Sequence, residues 1–283
     1  MTDLLLVTCT EWPDGEPAAD VLDRALAARG VDARWVNWDD ASVDWSSARV
    51  VAVRSTWDYI DRRDDFLAWA ARVGEQSLLL NGASVFAWNT DKQYLVELGA
   101  AGVPVVPTVS VDSRGDLVPA AASFDGRVVV KPRVGVGGFG LVVVDDPDAL
   151  AEAEVGRGPW AVQPVIESVR TEGELSVFVL GGQATYSLQK VPAEGQILVH
   201  EHHGGRNVRV PLDEDAVRVA KACVAAAEGL LGTTLHYARV DLMRHDGELV
   251  VSELEATEPG LYLDVIPENA EPFVDLIVEV LGR

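Results

Sequence analysis

Apolar residues come in short runs whose spacing changes character along the chain. Residues 4–8 (LLLVT), 33–38 (ARWVNW) and 48–54 (ARVVAVR) are apolar and rich in branched side chains, and polar or glycine-containing segments bound each one. Such runs predict buried strands. Helical spacing covers residues 16–29 up to Gly30, and a second helix, carrying Phe66 and Trp69, follows the third strand. Strand alternating with helix predicts an open α/β unit with a parallel sheet over residues 1–88, a layout in which ligands bind beyond the carboxyl ends of the strands. Residues 9–12 and 54–59 fall at those ends.

The pattern then shifts. Residues 89–107 read as a connecting helix and a V-P-V-V-P linker, and residues 108–162 as a small α+β lid. Within the lid, VVVKPRVGVGGFGLVVV (128–144) sets a glycine-rich loop between two β-branched runs. A strand at 160–166, WAVQPVI, has Pro164 inside it, which marks an edge or an interruption of pairing and leaves backbone groups free for a ligand. The same strand serves equally as a plain link between subdomains. Residues 163–283 then carry strands at LSVFVL and ATYSLQK, the loop HEHHGGRN, a helix at 213–231, two further strands and a last helix near 271–281.

A chain of 283 residues, 48% apolar throughout, is long enough for two or three subdomains around a sizeable core. No apolar run reaches membrane-spanning length and no basic segment opens the chain, so the expected compartment is cytoplasmic, with no membrane partner. Cys9 and Cys223 are isolated, which fits a reducing compartment without disulfides or structural zinc. The formal charge of −22, with no Lys/Arg cluster, argues against nucleic acid as a partner. Oligomeric state is left open by these features, a homodimer included.

The glycine hairpin is the first candidate for chemistry. Its mobile tip, with Gly137 and Gly138, can lay backbone N–H groups against phosphate oxygens, with Lys131 as a point charge beneath. Gly135, Gly137 and Gly140 also fit G-x-G-x-x-G, but a strand rather than a helix follows, which excludes the dinucleotide fingerprint. Only four of the 23 basic residues are Lys, so Lys92, Lys131 and Lys190 stand out in a chain that uses Arg elsewhere, whereas Lys221 sits in an amphipathic helix and reads as solvated. A compact ammonium suits a phosphate as a point charge. The histidines of the HEHHGGRN loop lack the second pair of a zinc site. That loop reads as polar cover over phosphates, with Gly204 and Gly205 permitting close approach.

The second candidate is HYARVDLMRHDGELVVSELEATEPG, two strands about Asp246-Gly247. Residues two apart on a strand share a face, so Arg239 goes with Asp241 and Glu253 with Glu255. A three-residue loop with left-handed Gly247 would set Asp241 on the face of both glutamates, and a two-residue loop would set them on opposite faces. Three clustered carboxylates need a cation between them, and hard oxygen donors suit Mg²⁺. Convergence therefore predicts the odd-length loop.

A third candidate is R-S-T-W-D-Y (54–59). Arg54, Ser55, Trp57 and Tyr59 combine a carboxylate-pairing cation with apolar walls, which suits a polar small molecule, although Ser55, Thr56 and Asp58 read equally as a helix cap.

Lysine before a lid, lysine beside a glycine hairpin, an inter-subdomain strand, and R-V-D paired with E-x-E-x-x-x-P-G together resemble the ATP-grasp superfamily, which includes D-alanine:D-alanine ligase and glutathione synthetase. The resemblance covers roughly residues 89–283. It implies an N-terminal Rossmann-like domain, a lid and a C-terminal mixed-sheet domain, with ATP and two Mg²⁺ as cofactors. By that similarity Lys92 and Lys131 hold phosphates, Gln163, Pro164 and Val165 present backbone to adenine, Glu174 lies near the ribose, and Lys190 faces the nucleotide. Asp241, Glu253 and Glu255 resemble the metal ligands, and Arg239 the group that stabilises charge in the transition state. Glu255 stands where many of these ligases have Asn. The R-S-T-W-D-Y and E-P-G-L-Y stretches are also similar to those of ATP-grasp cyclo-ligases, O-ureido-D-serine cyclo-ligase among them, which brings antibiotic biosynthesis into view. The activity implied is ADP-forming ligation of a small-molecule carboxylate to an amine, between molecules or within one. A phosphotransferase and a non-catalytic ATP-binding module are the alternatives.

Overall fold

The computed structural model describes residues 2–283 and contains three sheets. The first is parallel, in the order β2-β1-β3-β4, from β1 (Thr2–Thr8), β2 (Ala33–Asn37), β3 (Ala48–Ser55) and β4 (Leu78–Leu79). Helices α1 (Ala19–Ala28), α2 (Arg63–Gly74) and α3 (Gly82–Asn89) flank it. Side-chain alternation sorts the strand residues between two cores. Leu5, Val7, Val51 and Val53 join Phe66, Trp69 and Phe86 of α2 and α3, while Leu4, Leu6, Val50 and Ala52 join Leu22 and Leu26 of α1. Helix α1 starts later than its apolar spacing suggests, so Glu16 lies in the preceding loop, free of helical geometry.

Helix α4 (Tyr94–Ala100) leads to the lid. There β5 (Val109–Val111), helix α5 (Leu117–Ala121), β6 (Val128–Pro132), β7 (Val142–Val144) and β8 (Trp160–Pro164) form a sheet in the order β5-β8-β6-β7. Its core is a cluster of its own, built on Leu117, Val128, Val130, Leu150, Trp160 and Val162. Strand β8 lies wholly in this sheet, so the boundary expected at 162/163 cuts a strand.

After the short helix α6 (Val169–Glu172), the third sheet runs β11-β10-β9-β12-β13 from β9 (Glu174–Leu180), β10 (Gln183–Val191), β11 (Arg206–Val210), β12 (Tyr237–His245) and β13 (Glu248–Glu255), with α7 (Glu214–Leu231) packed on it. The V-P-V-V-P linker is pinned to its edge, where Val251 N–H donates to the Pro104 carbonyl at 2.7 Å and Val106 N–H to the Val251 carbonyl at 2.9 Å. The last helix, α8 (Ala270–Val280), turns back to the first sheet. Its Phe273, Val274 and Ile277 complete the core around Leu4, Leu6, Leu22 and Leu26. Both ends of the chain thus share one hydrophobic cluster. No helix among the described residues is long and apolar enough to cross a membrane.

Candidate active site

The acidic hairpin reaches the expected geometry by an unexpected route. Asp246 and Gly247 both have positive φ, 50° and 87°, the signature of a two-residue type I′ turn, and the ladder pairs His245 with Glu248 and Leu242 with Val251. Continued unbroken, that register would set Asp241 opposite Ser252 and turn both glutamates to the other face. A β-bulge inserts Ser252 instead, so that Asp241 lies opposite Glu253 and Arg239 opposite Glu255. The predicted odd-length loop is therefore wrong, and the parity it was meant to supply comes from within the strand. Oxygen atoms of Asp241, Glu253 and Glu255 all lie within 4.8 Å of one another.

Charge around this trio is dense and ordered. Arg239 donates from Nε and Nη2 to the two oxygens of Asp241 at 2.9 and 2.8 Å, and from Nη2 also to Glu255. Lys190 donates to Asp241 at 2.7 Å and to Glu174 at 3.0 Å. The Ser176 hydroxyl reaches Asp241 at 2.6 Å, and the bulge residue Ser252 reaches the second oxygen of Glu174 at 2.9 Å. Burial would raise Asp241, but Arg239 and Lys190 hold it far below the usual carboxylate range. Burial, together with Asp241 and Glu253, pushes Glu255 up to about 7 despite Arg239, and burial with Glu255 pushes Glu258 up to about 8. Asp241 is closed off at 1% exposure, whereas Glu253 and Glu255 keep 31% and 27% of their side chains open. Three hard carboxylates, an excess of buried negative charge and two open ligands fit a divalent cation such as Mg²⁺.

The glycine hairpin and its lysines adjoin it. Lys92 reaches Glu253 at 3.0 Å and the Gly135 carbonyl of the hairpin at 2.7 Å. Lys131 forms no ion pair among the described residues, and burial lowers it to about 8 against the opposing pull of Glu253. Gly137, Gly138 and Gly140 have φ of 61°, 75° and 74°, conformations that disfavour a side chain. The histidine loop packs on this tip, with His203 Nε2 3.1 Å from the Gly137 carbonyl and the Phe139 ring 6.0 and 5.8 Å from those of His202 and His203. Burial and the neighbouring cations lower His200 to about 4. The loop thus covers the glycine tip. In β8, pairing with β5 stops at Val162 while pairing with β6 continues to Pro164, so one side of the strand is open at Gln163 and Pro164. The Val165 N–H, expected to be free, donates to the Arg127 carbonyl at 2.9 Å.

Several assignments change. Arg54 is fully buried, bonded through Nε and Nη2 to Glu16 at 3.0 and 2.6 Å and through Nη2 to the Pro259 carbonyl at 2.7 Å. It cannot greet a substrate carboxylate. Ser55 is equally buried, its hydroxyl 2.7 Å from that of Thr8, tying the ends of β1 and β3 together. Tyr59 is buried against Glu258, and of the four only Trp57 stays partly open, edge-on to Trp12 at 5.3 Å. Glu174, expected beside a ribose, has both oxygens engaged by Lys190 and Ser252. Lys190, expected to face the nucleotide, braces the acid cluster from behind. Sequence reasoning missed Glu16, Ser176, Ser252, Glu258 and Tyr262. The only trace of them was the E-P-G-L-Y stretch, because their partners are distant in sequence.

Comparison with known proteins identifies the family and the fold. Residues 4–81 match the family model for the N-terminal domain of D-cycloserine synthetase DcsG, and residues 99–259 that of the ATP-grasp domain of prokaryotic glutathione synthetase. The cycloserine biosynthesis protein DcsG of Streptomyces lavendulae is 32% identical over 278 residues, covering 89% of this chain and 90% of that protein. The crystal structure of D-cycloserine synthetase DcsG superposes with a TM-score of 0.85 at 29% identity, covering 98% of this chain and 99% of the other. D-alanyl-alanine synthetase A of Vibrio cholerae shares the fold, with a TM-score of 0.70 at 16% identity over 99% of this chain and 98% of the other.

Proposed function

This chain belongs to the ATP-grasp ligases, and from that premise we propose that its substrate is a small amino-acid-derived carboxylate that it joins to a nitrogen of the same molecule, as in the making of a cycloserine-like ring. It is an ADP-forming carboxylate–amine ligase that uses ATP and Mg²⁺. The observation that carries the site assignment is the convergence of Asp241, Glu253 and Glu255 beside Lys92 and Lys131.

The substrate carboxylate attacks the γ-phosphorus, the bond to the β–γ bridging oxygen breaks, and ADP leaves an acyl phosphate. The nitrogen then adds to the acyl carbon, phosphate departs from the tetrahedral intermediate, and the nitrogen loses its proton. Lys92 and Lys131 neutralise the transferring group, while Gln163 and Pro164 line the open side of β8 where a purine edge can pair. Two Mg²⁺ held by Asp241, Glu253 and Glu255 would supply charge neutralisation between the phosphates. Arg239 has Nη1 without a protein acceptor among the described residues and presents it to the developing oxyanion. Closure of the glycine hairpin excludes water and protects the acyl phosphate from hydrolysis.

The test is ADP release from MgATP with a panel of O-ureido-D-serine, amino acids and dipeptides, with products identified by mass spectrometry. A cyclised product from a single substrate molecule is expected. A condensed product of two molecules would reject ring closure while keeping ligation, and a stable phosphorylated product would establish a phosphotransferase instead.

A further inference from the structure

Residues 258–262 close one side of the acidic cluster, and what holds them comes from the far end of the chain. Tyr262 has φ of +51°. Such a backbone is strained for a bulky side chain and persists only where its surroundings over-determine it. Its ring lies over the Arg239 guanidinium, 5.5 Å from carbon to ring centroid, and edge-on to Phe178 at 6.2 Å. The edges of that guanidinium serve Asp241 and Glu255, so Tyr262 covers its remaining protein-facing side.

The loop is gripped immediately before the strained residue. Glu16 accepts two bonds from Arg54 on Oε1 and one from the Leu261 N–H on Oε2 at 2.5 Å, and Arg54 donates to the Pro259 carbonyl at 2.7 Å. Exposure of the two side chains is 2% and 0%. The guanidinium of Arg54 also lies 4.9 Å from the Phe273 ring, which fixes it against α8. An ion pair this buried is weak grounds for stability, since apolar residues of the same volume often serve as well. Its four bonds are spent on orienting a loop.

We propose that Glu16 and Arg54 are positioning residues for ligation: by gripping residues 259 and 261 they hold Tyr262 in its left-handed conformation over Arg239, and so aim the free nitrogen of Arg239 into the cleft. The inference rests on the assignment of Arg239 to charge stabilisation. It makes the N-terminal unit part of the transition-state machinery, through a chain of contacts and without touching substrate.

The experiment compares Glu16→Asp, which keeps the charge for Arg54 but withdraws from the Leu261 N–H, with Tyr262→Gly, Tyr262→Phe and the Glu16→Asp/Tyr262→Gly double variant. ADP release is read with the substrate panel and, independently of any acceptor, from MgATP alone, and ATP affinity is read by calorimetry. Glu16→Asp and Tyr262→Gly are each expected to lower kcat by about tenfold or more with ATP affinity within about twofold, and Tyr262→Phe, which keeps the ring, to restore most of the rate. If Glu16 acts through Tyr262, the double variant is no slower than Tyr262→Gly to within about twofold. Additive losses, equal rates for Tyr262→Gly and Tyr262→Phe, or a wild-type kcat in folded Glu16→Asp each overturn the proposal. Should Glu16→Asp not fold, Glu16→Gln, which keeps the volume but cannot accept from both partners, takes its place in the cycle. Absence of acceptor-dependent ADP in the wild type counts against the ligase assignment, whereas the ranking of variants on MgATP alone still decides this inference.

Discussion

Two hairpins carry the proposed ligand chemistry, and they are built on opposite principles. Strands β6 and β7 pair over only three residues each and leave a long tip with three left-handed glycines and Phe139 54% exposed. Strands β12 and β13 pair over seven positions, turn in two residues, and hold buried charges in place with a bulge. The first is held at its tip by single contacts, from Lys92 to the Gly135 carbonyl and from His203 to that of Gly137, rather than by a ladder. The second is fixed, because Asp241 and Glu255 are tied to cations or hydroxyls from other strands and Glu253 to Lys92 in the turn before α4. Phosphates need a cover that opens, and metal ligands need fixed oxygens, so the contrast fits what each hairpin is proposed to hold.

Deleting Ser252 should break this contrast most severely. It restores the unbroken register, turns Glu253 and Glu255 towards the apolar side, and should abolish Mg²⁺-dependent ATP binding along with several kcal/mol of stability, roughly 3–5 as for other broken buried ion pairs. Calorimetry and chemical denaturation read both effects. Asp241→Asn keeps the register but leaves Arg239 and Lys190 short of their common anion. Ligation should fall by about three orders of magnitude, with stability lower by about 3 kcal/mol. A folded, active variant would show that the rigid hairpin tolerates what it was thought to forbid.

On the mobile side Lys131→Ala should weaken ATP binding by about ten- to a hundredfold while the melting temperature barely moves, and Lys221→Ala should change neither. The same lysine sets a pH dependence. Its ammonium is destabilised by burial, to about 8 in the free protein, and a bound phosphate raises it again. Binding therefore takes up a proton above that pH, and ATP affinity should fall by up to about tenfold per unit as pH rises beyond 8. In Lys131→Ala that slope should vanish. The smallest effect is expected from Gly138→Ala, whose methyl must sit at φ of +75° and 3.0 Å from a Leu198 methyl. A cost of about 1 kcal/mol in the closed tip predicts a several-fold rise in the KM for ATP with unchanged global stability.

The glycine hairpin was legible because its pattern is local: Gly137, Gly138 and Lys131 stand within eight residues, between two β-branched runs that pair as strands. The acidic face was legible in its residues but not in its construction. Period two correctly grouped Arg239 with Asp241 and Glu253 with Glu255, yet the bulge at Ser252 has no signature in a run of apolar and acidic residues. Its support comes from Pro104 on one side and Glu174 on the other. The N-terminal loop was misjudged for the same reason. An arginine at the end of a parallel strand fits a ligand site on charge and position, and only Glu16 and Pro259 reveal that its Nε and Nη2 are engaged and the whole side chain closed off from the cleft.

Sequence by itself determined the order of elements, the open α/β beginning, the glycine hairpin and which carboxylates share one face of the acidic hairpin, since apolar periodicity, turn residues and rare lysines act over a few positions. Tertiary structure alone decided which of the charged residues are free. Among the described residues Lys131 is left without an ion partner, while Lys190, Glu174 and Arg54 are consumed by partners 16 to 205 residues away. Whether a buried charge binds a ligand or a neighbour depends on what stands within hydrogen-bonding reach of it, and that distance is a property of the folded chain.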